Sequence, residues 1–243
     1  GSNAFLVWAI YHFAMRAECR KRNCEVSYRD FRKEGRILLA MSAPASLSGI
    51  IGSAAIWATT VILSRQNNGY AQLAIFSAAN SLRLFVTFFP NVLGRVMMPV
   101  LNSLLANRDP RRFESAFRAN VAVSGGVAAS VALVLLTMRH RLLALFGKDF
   151  IDKDGAVPML LLATVIEVVA CSIYPVIFVY GRMWRQVVTI GLWAASLLLV
   201  TYLTASQGAF GLATAYVAAW TVSLLFYAYH AWNLHRTSID QKT

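Results

Sequence analysis

The chain has 243 residues, of which 58% are hydrophobic and only 14% are charged, and its mean hydropathy is +0.55. Soluble domains are about 45 to 50% apolar and about 25% charged, so a soluble fold of this length could not bury so many apolar side chains. The net charge of +12 is distributed between apolar runs, which favours membrane lipids over nucleic acid as the partner.

The first apolar stretch covers residues 4–15 and is too short to span a membrane. As a helix it would rise about 18 Å, whereas the hydrocarbon core of a bilayer is about 30 Å thick. We expect residues 1–36 to contain the end of a truncated transmembrane helix followed by a basic cytoplasmic loop.

Six longer apolar runs follow, and each is long enough to cross a bilayer as a helix. They cover residues 37–63, 71–106, 120–138, 158–180, 187–205 and 212–232. None alternates between apolar and polar residues as a barrel strand does, and lipid tolerates no unpaired backbone groups. The sequence therefore predicts an all-α, polytopic bundle with a six-helix transmembrane domain over 37–232 and a cytoplasmic tail over 233–243.

The positions of lysine and arginine predict the orientation of these helices. If the loop over 16–36 is cytoplasmic, 16 of the 23 Lys and Arg residues fall on the cytoplasmic side and five on the other side. The remaining two, Arg83 and Arg95, lie within a predicted helix. This bias follows the positive-inside rule and predicts a cytoplasmic C-terminus.

The first complete helix carries a face of small and polar residues. Its members are Ser42, Ser46, Gly49, Ser53, Trp57, Thr60 and Ser64, which share one direction at 100° per residue. Two interpretations stay open, since such a face allows close packing between helices or lines a polar lumen through Ser46, Ser53 and Thr60.

The second helix has a polar face that includes charge. Its members are Ser77, Asn80, Arg83, Thr87, Asn91, Gly94, Arg95 and Asn102. This face must turn away from lipid, because a charge at the centre of a spanning helix costs about 2.5 to 3.5 kcal/mol. Pro90 is expected to kink the helix and rotate its second half away from this projection.

Depth distinguishes the charged residues of the helices. Arg83 lies about 18 Å from the start of its helix, near the midplane. Arg95 lies about 36 Å along it and can reach the inner headgroups, either as a snorkelling interface anchor or as a binding residue. Glu167 lies about 14 Å into the helix over 158–180, within about 4 Å of the level of Arg83. Either the two form a structural salt bridge, or both line an aqueous cavity in which Arg83 binds phosphate.

The last two predicted helices have no ionisable residue in their interiors apart from His230 near one end. We expect them to be peripheral and to face lipid. The four histidines and three cysteines show no metal or catalytic spacing, so the sequence predicts no enzyme, no metal site and no cofactor.

Three stretches of the sequence carry a family resemblance. ASLSGIIG at 45–52, GYAQLAIFSAAN at 69–80, and PNVLG with PVL between 90 and 101 resemble polysaccharide transporters such as O-antigen flippases. Their superfamily also contains multidrug and lipid II exporters. The resemblance covers most of 37–232.

The resemblance implies one six-helix lobe of a MATE-like twelve-helix transporter in the bacterial inner membrane, with the N-terminal lobe missing. The implied substrate is an undecaprenyl-pyrophosphate-linked oligosaccharide, carried to the outer leaflet by alternating access. Arg83 beside Asn80 matches the basic cavity residues of this family, and we assign Arg95 and Asn91 to the same binding surface. Thr87 belongs to the polar lumen face, and Glu167 is the candidate charge partner or coupling residue. The alternatives are a multidrug exporter of the same fold and a membrane-embedded polysaccharide polymerase or ligase.

Overall fold

The structure is a computed structural model that describes Gly35 and residues 38–107, 109–144 and 155–240, with side chains up to residue 231. The chain divides into two compact units, Gly1–Leu39 and Ala40–Thr243. The helices discussed below belong to the second unit. The predicted loop over 16–36, with Cys19 and Cys24, lies outside the described residues apart from Gly35.

Seven α-helices follow one another in the described part of the second unit. They are α1 (Ala43–Ser64), α2 (Gly69–Ala106), α3 (Pro110–Thr137), α4 (Arg139–Ala144), α5 (Ala156–Val179), α6 (Met183–Thr204) and α7 (Gly208–Asp240). A π-helical turn, Leu38–Ser42, precedes α1, and a 3-10 turn, Ala205–Gln207, separates α6 from α7. No strand occurs among the described residues, which confirms the all-α prediction.

Five segments of the described chain are long and apolar enough to cross a membrane. The fifth, Met183–Ala231, comprises two helices, α6 and α7, which pack against each other after the chain reverses at Ala205–Gln207. Together with α1, α2, α3 and α5, the six long helices correspond to the six predicted spans.

The largest difference in helix bounds is at the start of α3, which begins at Pro110 rather than near residue 120. The Asp109 side chain accepts a hydrogen bond from the backbone N–H of Arg112 at 3.1 Å, and Pro110 occupies the first turn. An aspartate cap followed by proline is a strong helix start, although the residues after it are polar. The helix therefore extends beyond its apolar run.

Helices α5 and α7 form the centre of the unit. Helix α5 packs against α2, α3 and α7, while α7 packs against α5, α6 and α2. The buried residues of α7 are mostly small or aromatic, namely Ala209, Leu212, Ala213, Ala215, Tyr216, Ala219, Trp220, Ser223 and Tyr227. The expectation that the last two helices are both peripheral is therefore wrong for α7, because its alanine-rich face allows close approach to α5.

The start of α7 is tied to the start of α2. Gly208 has φ +65°, a backbone conformation that side-chain-bearing residues rarely adopt, and a Cβ atom there would collide with the side chain of Gln72. The Gln72 Oε1 atom accepts a hydrogen bond from the backbone N–H of Ala209 at 2.9 Å. This hydrogen bond holds the start of α7 against the start of α2, the helix that carries Arg83 and Arg95.

Candidate functional site

Arg83 and Glu167 form an ion pair between α2 and α5. Arg83 Nε donates to Glu167 Oε2 at 2.7 Å, and Arg83 Nη2 donates to Glu167 Oε1. The side chains are largely buried, with 23% of Arg83 and 12% of Glu167 exposed. A planar guanidinium matches a carboxylate in this side-on arrangement, so the pair aligns the two helices as well as neutralising both charges.

Two further polar residues of α2 surround this ion pair. Arg83 Nη1 lies 3.4 Å from Asn80 Oδ1, so each of the three guanidinium nitrogens has an acceptor. The Thr87 hydroxyl donates to the backbone carbonyl of Arg83 at 3.1 Å. The structure thus brings Arg83, Asn80, Thr87 and Glu167 together.

A groove of about 590 Å³ runs between α2 and α5, and Glu167 lies in its wall. The residues that line it are Thr87, Pro90, Asn91, Gly94, Arg95 and Met98 from α2, and Glu167, Val168, Cys171, Ser172, Tyr174 and Pro175 from α5. Asn91 and Arg95, both predicted as binding residues, line this groove and are exposed. Arg83 does not line it, since its guanidinium is held by Glu167.

Arg95 is the cation that faces the groove. The described side chains include three acidic ones, and each already contacts a different arginine: Glu167 with Arg83, Asp109 with Arg112 and Glu114 with Arg118. Arg95 has no hydrogen-bond or ion-pair partner within the described part of the chain. Since Glu167 is paired with Arg83, the charge of Arg95 is the one in this groove that is open to an anion.

The polar stripe of α2 continues on both sides of Pro90. Helix α2 is unbroken through Pro90 and Pro99, and Thr87, Asn91 and Arg95 line the same groove. The groove therefore has residues from both sides of Pro90, and the kink at Pro90 stays a prediction. Residues four apart stay on one face, as they do in an ordinary α-helix.

The polar residues of α1 are placed differently. Ser46, Ser53 and Thr60 are exposed and do not line the groove, and Trp57 on the same face is 69% exposed. Helix α1 packs mainly against α6. The small polar face is therefore not used for packing between the described helices of this chain.

Helix α5 contributes more to the groove than Glu167, and these further residues were not predicted. Cys171 and Tyr174 lie four and seven residues after Glu167 and line the groove on the same face of the helix. That spacing was a usable signal, but Cys171 and Tyr174 lie within an apolar run. Asn120 of α3 donates to the backbone carbonyl of Ser172 at 3.2 Å, which supports the groove wall from behind.

No group of three or more metal-ligating side chains occurs among the described residues. The site is a groove between two helices of spanning length, with one ion pair and one open arginine. Such a site, on helices of spanning length, is typical of a membrane transporter.

The fold is similar to that of two solved structures of MATE, one in complex with MaD5 and one with MaL6. The TM-scores are 0.71 and 0.72, with 16% sequence identity in each case. The matches cover 90% and 91% of this chain and 50% of the two solved chains. This likeness shows the fold, which is half of a MATE-like transporter.

Two curated relatives carry the name EPS I polysaccharide export inner membrane protein EpsE. The protein from Ralstonia solanacearum is 23% identical over 202 residues, and that from Ralstonia nicotianae is 22% identical over the same length. Each match covers 82% of this chain and 46% of the relative, so the chain spans about half the length of these proteins. No protein-family model matches the chain. The two likenesses support a polysaccharide/MATE-like exporter family, as the sequence resemblance predicted.

Proposed function

We propose that this chain is one lobe of a flippase that moves an undecaprenyl-pyrophosphate-linked oligosaccharide from the inner to the outer leaflet of the bacterial inner membrane. The observation that carries the proposal is the groove between α2 and α5, in which the exposed guanidinium of Arg95 has no acidic partner among the described residues. A pyrophosphate supplies the missing negative charge, and an arginine binds two of its oxygens at once.

The ion pair gives Arg83 a second role in this scheme. Arg95 and Asn91 bind the pyrophosphate first, because the guanidinium of Arg83 is already bound to Glu167. When the substrate moves along α2, its phosphate oxygens replace the Glu167 carboxylate on Arg83. The exchange keeps Arg83 paired throughout, and the released Glu167 carboxylate, which lies in the groove wall, is left to water in the groove.

A second six-helix lobe is part of this proposal. The exposed polar face of α1 and the exposed aromatic residues of α2, Phe85 and Phe88, are surfaces for that lobe to cover. A single lobe cannot enclose a cavity that opens alternately to two sides. The chain alone is therefore expected to insert into a membrane without transporting the substrate.

A multidrug exporter of the same fold is a weaker candidate. A cationic drug requires acidic groups in the cavity, whereas the described acidic residue of this groove, Glu167, is already paired and Arg95 adds positive charge. The polysaccharide names of the two relatives also favour an anionic lipid carrier. No observation on the described residues favours a polymerase or ligase.

The direct test is translocation of lipid-linked oligosaccharide in membrane vesicles made with the full-length gene. Arg95→Gln is expected to reduce the rate by about 10- to 100-fold, the scale of losing one charge-assisted hydrogen-bond pair of about 1.5 to 3 kcal/mol. Arg111→Gln, which removes an exposed arginine of α3, is the matched control and should transport normally. Unchanged transport by Arg95→Gln would contradict the proposed binding role.

The proposed orientation has a separate test in intact cells. Cysteines introduced at Asn68, between α1 and α2, and at Asn107, between α2 and α3, lie at opposite ends of α2 and are exposed. A membrane-impermeant thiol reagent should label the position 68 variant and leave both the position 107 variant and native Cys19 and Cys24 unlabelled. The reverse pattern would invert the proposed topology.

A further inference from the structure

The adjoining ends of α6 and α7 form a cationic cluster whose residues do not line the groove. Arg182 and Arg185 lie at the beginning of α6, and His230 lies near the end of the described side chains of α7. Arg185 Nη1 is 3.4 Å from His230 Nδ1, and the Tyr227 hydroxyl donates to Gln186 Oε1 at 2.6 Å. These contacts hold the two helix ends together.

The hydrogen-bond roles in this cluster leave donors without acceptors. An arginine side chain has only donors, so His230 Nδ1 is the acceptor in its contact with Arg185, and His230 Nε2 carries the proton. The Nε2 atom is buried and has no hydrogen-bond partner within the described residues. The acidic side chains that the structure describes each contact another arginine, so neither Arg182 nor Arg185 has an acidic partner there.

Aromatic and apolar side chains continue from the cluster along both helices. Trp184 is 55% exposed and Tyr229 is 60% exposed, and the ring of Tyr229 lies 5.5 Å from that of His230. Exposed apolar side chains follow deeper along the same helices: Val188 and Leu192 on α6, and Leu225 and Val222 on α7. Tryptophan and tyrosine in such positions are typical of the membrane–water interface.

We propose that Arg182 and Arg185, the latter oriented by His230, bind the anionic headgroup of a phospholipid, with its acyl chains along the apolar side chains of α6 and α7. Basic pockets between transmembrane helices at the cytoplasmic side bind such headgroups, and the positive-inside bias assigns this end to that side. A free phosphate ion would use the arginines alone and leave the aromatic and apolar side chains unused. The arrangement therefore favours a lipid over a soluble anion, and it does not depend on the transported substrate.

The test uses the full-length protein, purified in an uncharged detergent and titrated with lipid under native mass spectrometry. Dioleoylphosphatidylglycerol should bind more tightly than dioleoylphosphatidylcholine, which has the same chains and no net charge. The double variant Arg182→Gln with Arg185→Gln should bind the anionic lipid about thirty-fold more weakly, which corresponds to roughly 1 kcal/mol per arginine. Arg185→Lys should keep most of the binding, since the charge remains.

The control is Arg111→Gln, which removes one positive charge from an exposed position on α3 and should leave lipid binding unchanged. Circular dichroism checks that each variant keeps its helix content. Equal binding of the two lipids, or equal weakening by Arg111→Gln, would overturn the proposal. Full displacement of the anionic lipid by millimolar inorganic phosphate would assign the cluster to a soluble anion and would also overturn it.

Discussion

Two arginines of the same helix have opposite environments in this protein. Arg83 is largely buried and has an acceptor at each guanidinium nitrogen, two of them from Glu167. Arg95 lies three turns further along α2, is exposed in the groove and has no partner among the described residues. Arg83 therefore connects two helices, whereas Arg95 offers an open positive charge in the groove.

The comparison separates stability from binding. Deleting one member of a largely buried arginine and carboxylate pair destabilises the fold, because the other charge is left without compensation. An exposed arginine contributes little to folding, so an open Arg95 that faces the groove is available to a ligand.

Glu167→Ala should have the largest effect on stability. It leaves the Arg83 guanidinium buried without an acid, and the free energy of unfolding should fall by about 3 kcal/mol, the low end of the range for buried pairs. Denaturant unfolding in detergent measures the change. Glu114→Ala is the control, since it breaks the exposed pair with Arg118 and should cost less than about 1 kcal/mol. Similar losses in both variants would show that the Arg83 pair behaves as a surface pair.

Thiol labelling tests whether the groove is open to water. In a background with the three native cysteines replaced by serine, Asn91→Cys should react with a water-soluble maleimide at least about tenfold faster than Ala79→Cys. Ala79 lies on the same helix and is 2% exposed. Comparable rates at the two positions would contradict an accessible groove.

The double variant Arg83→Leu with Glu167→Leu separates structure from transport at the ion pair. Replacing both charges by apolar side chains should change the free energy of unfolding by less than about 1 kcal/mol, because no buried charge is left unpaired. Translocation by this variant should nevertheless be lost if phosphate passes to Arg83. A stable double variant that still transports would reduce the pair to a structural salt bridge.

Arg95→Gln should have the smallest effect on stability. The side chain is exposed and has no partner in the described residues, so the free energy of unfolding should change by less than about 0.5 kcal/mol. The same denaturant assay in detergent measures it beside Glu167→Ala. A loss as large as that of Glu167→Ala would mean that Arg95 stabilises the fold and would remove the argument for a ligand.

The number and approximate bounds of the long helices follow from the sequence. In lipid each backbone group must be paired within its own segment, so an apolar run of about 20 residues is sufficient to predict a helix. The start of α3 was missed because Asp109 and Pro110 specify a helix outside the apolar run. The candidate site was predicted in part, since helical spacing placed Asn80, Arg83, Thr87, Asn91 and Arg95 on one face of α2.

Tertiary structure decided which of these residues are paired and which are open. Arg83 and Glu167 are 84 residues apart, and their depths agreed from sequence, but the rotation of α5 against α2 sets whether the carboxylate meets the guanidinium. The burial of α7 could not be predicted from the sequence either. Lipid and the interior of a helix bundle are both apolar and select similar side chains. Sequence alone determined which segments enter the membrane, since that depends on the free energy of transferring their side chains from water to lipid. Which helix each face packs against depends on contacts between segments that are distant in the chain, and hydropathy does not encode those contacts.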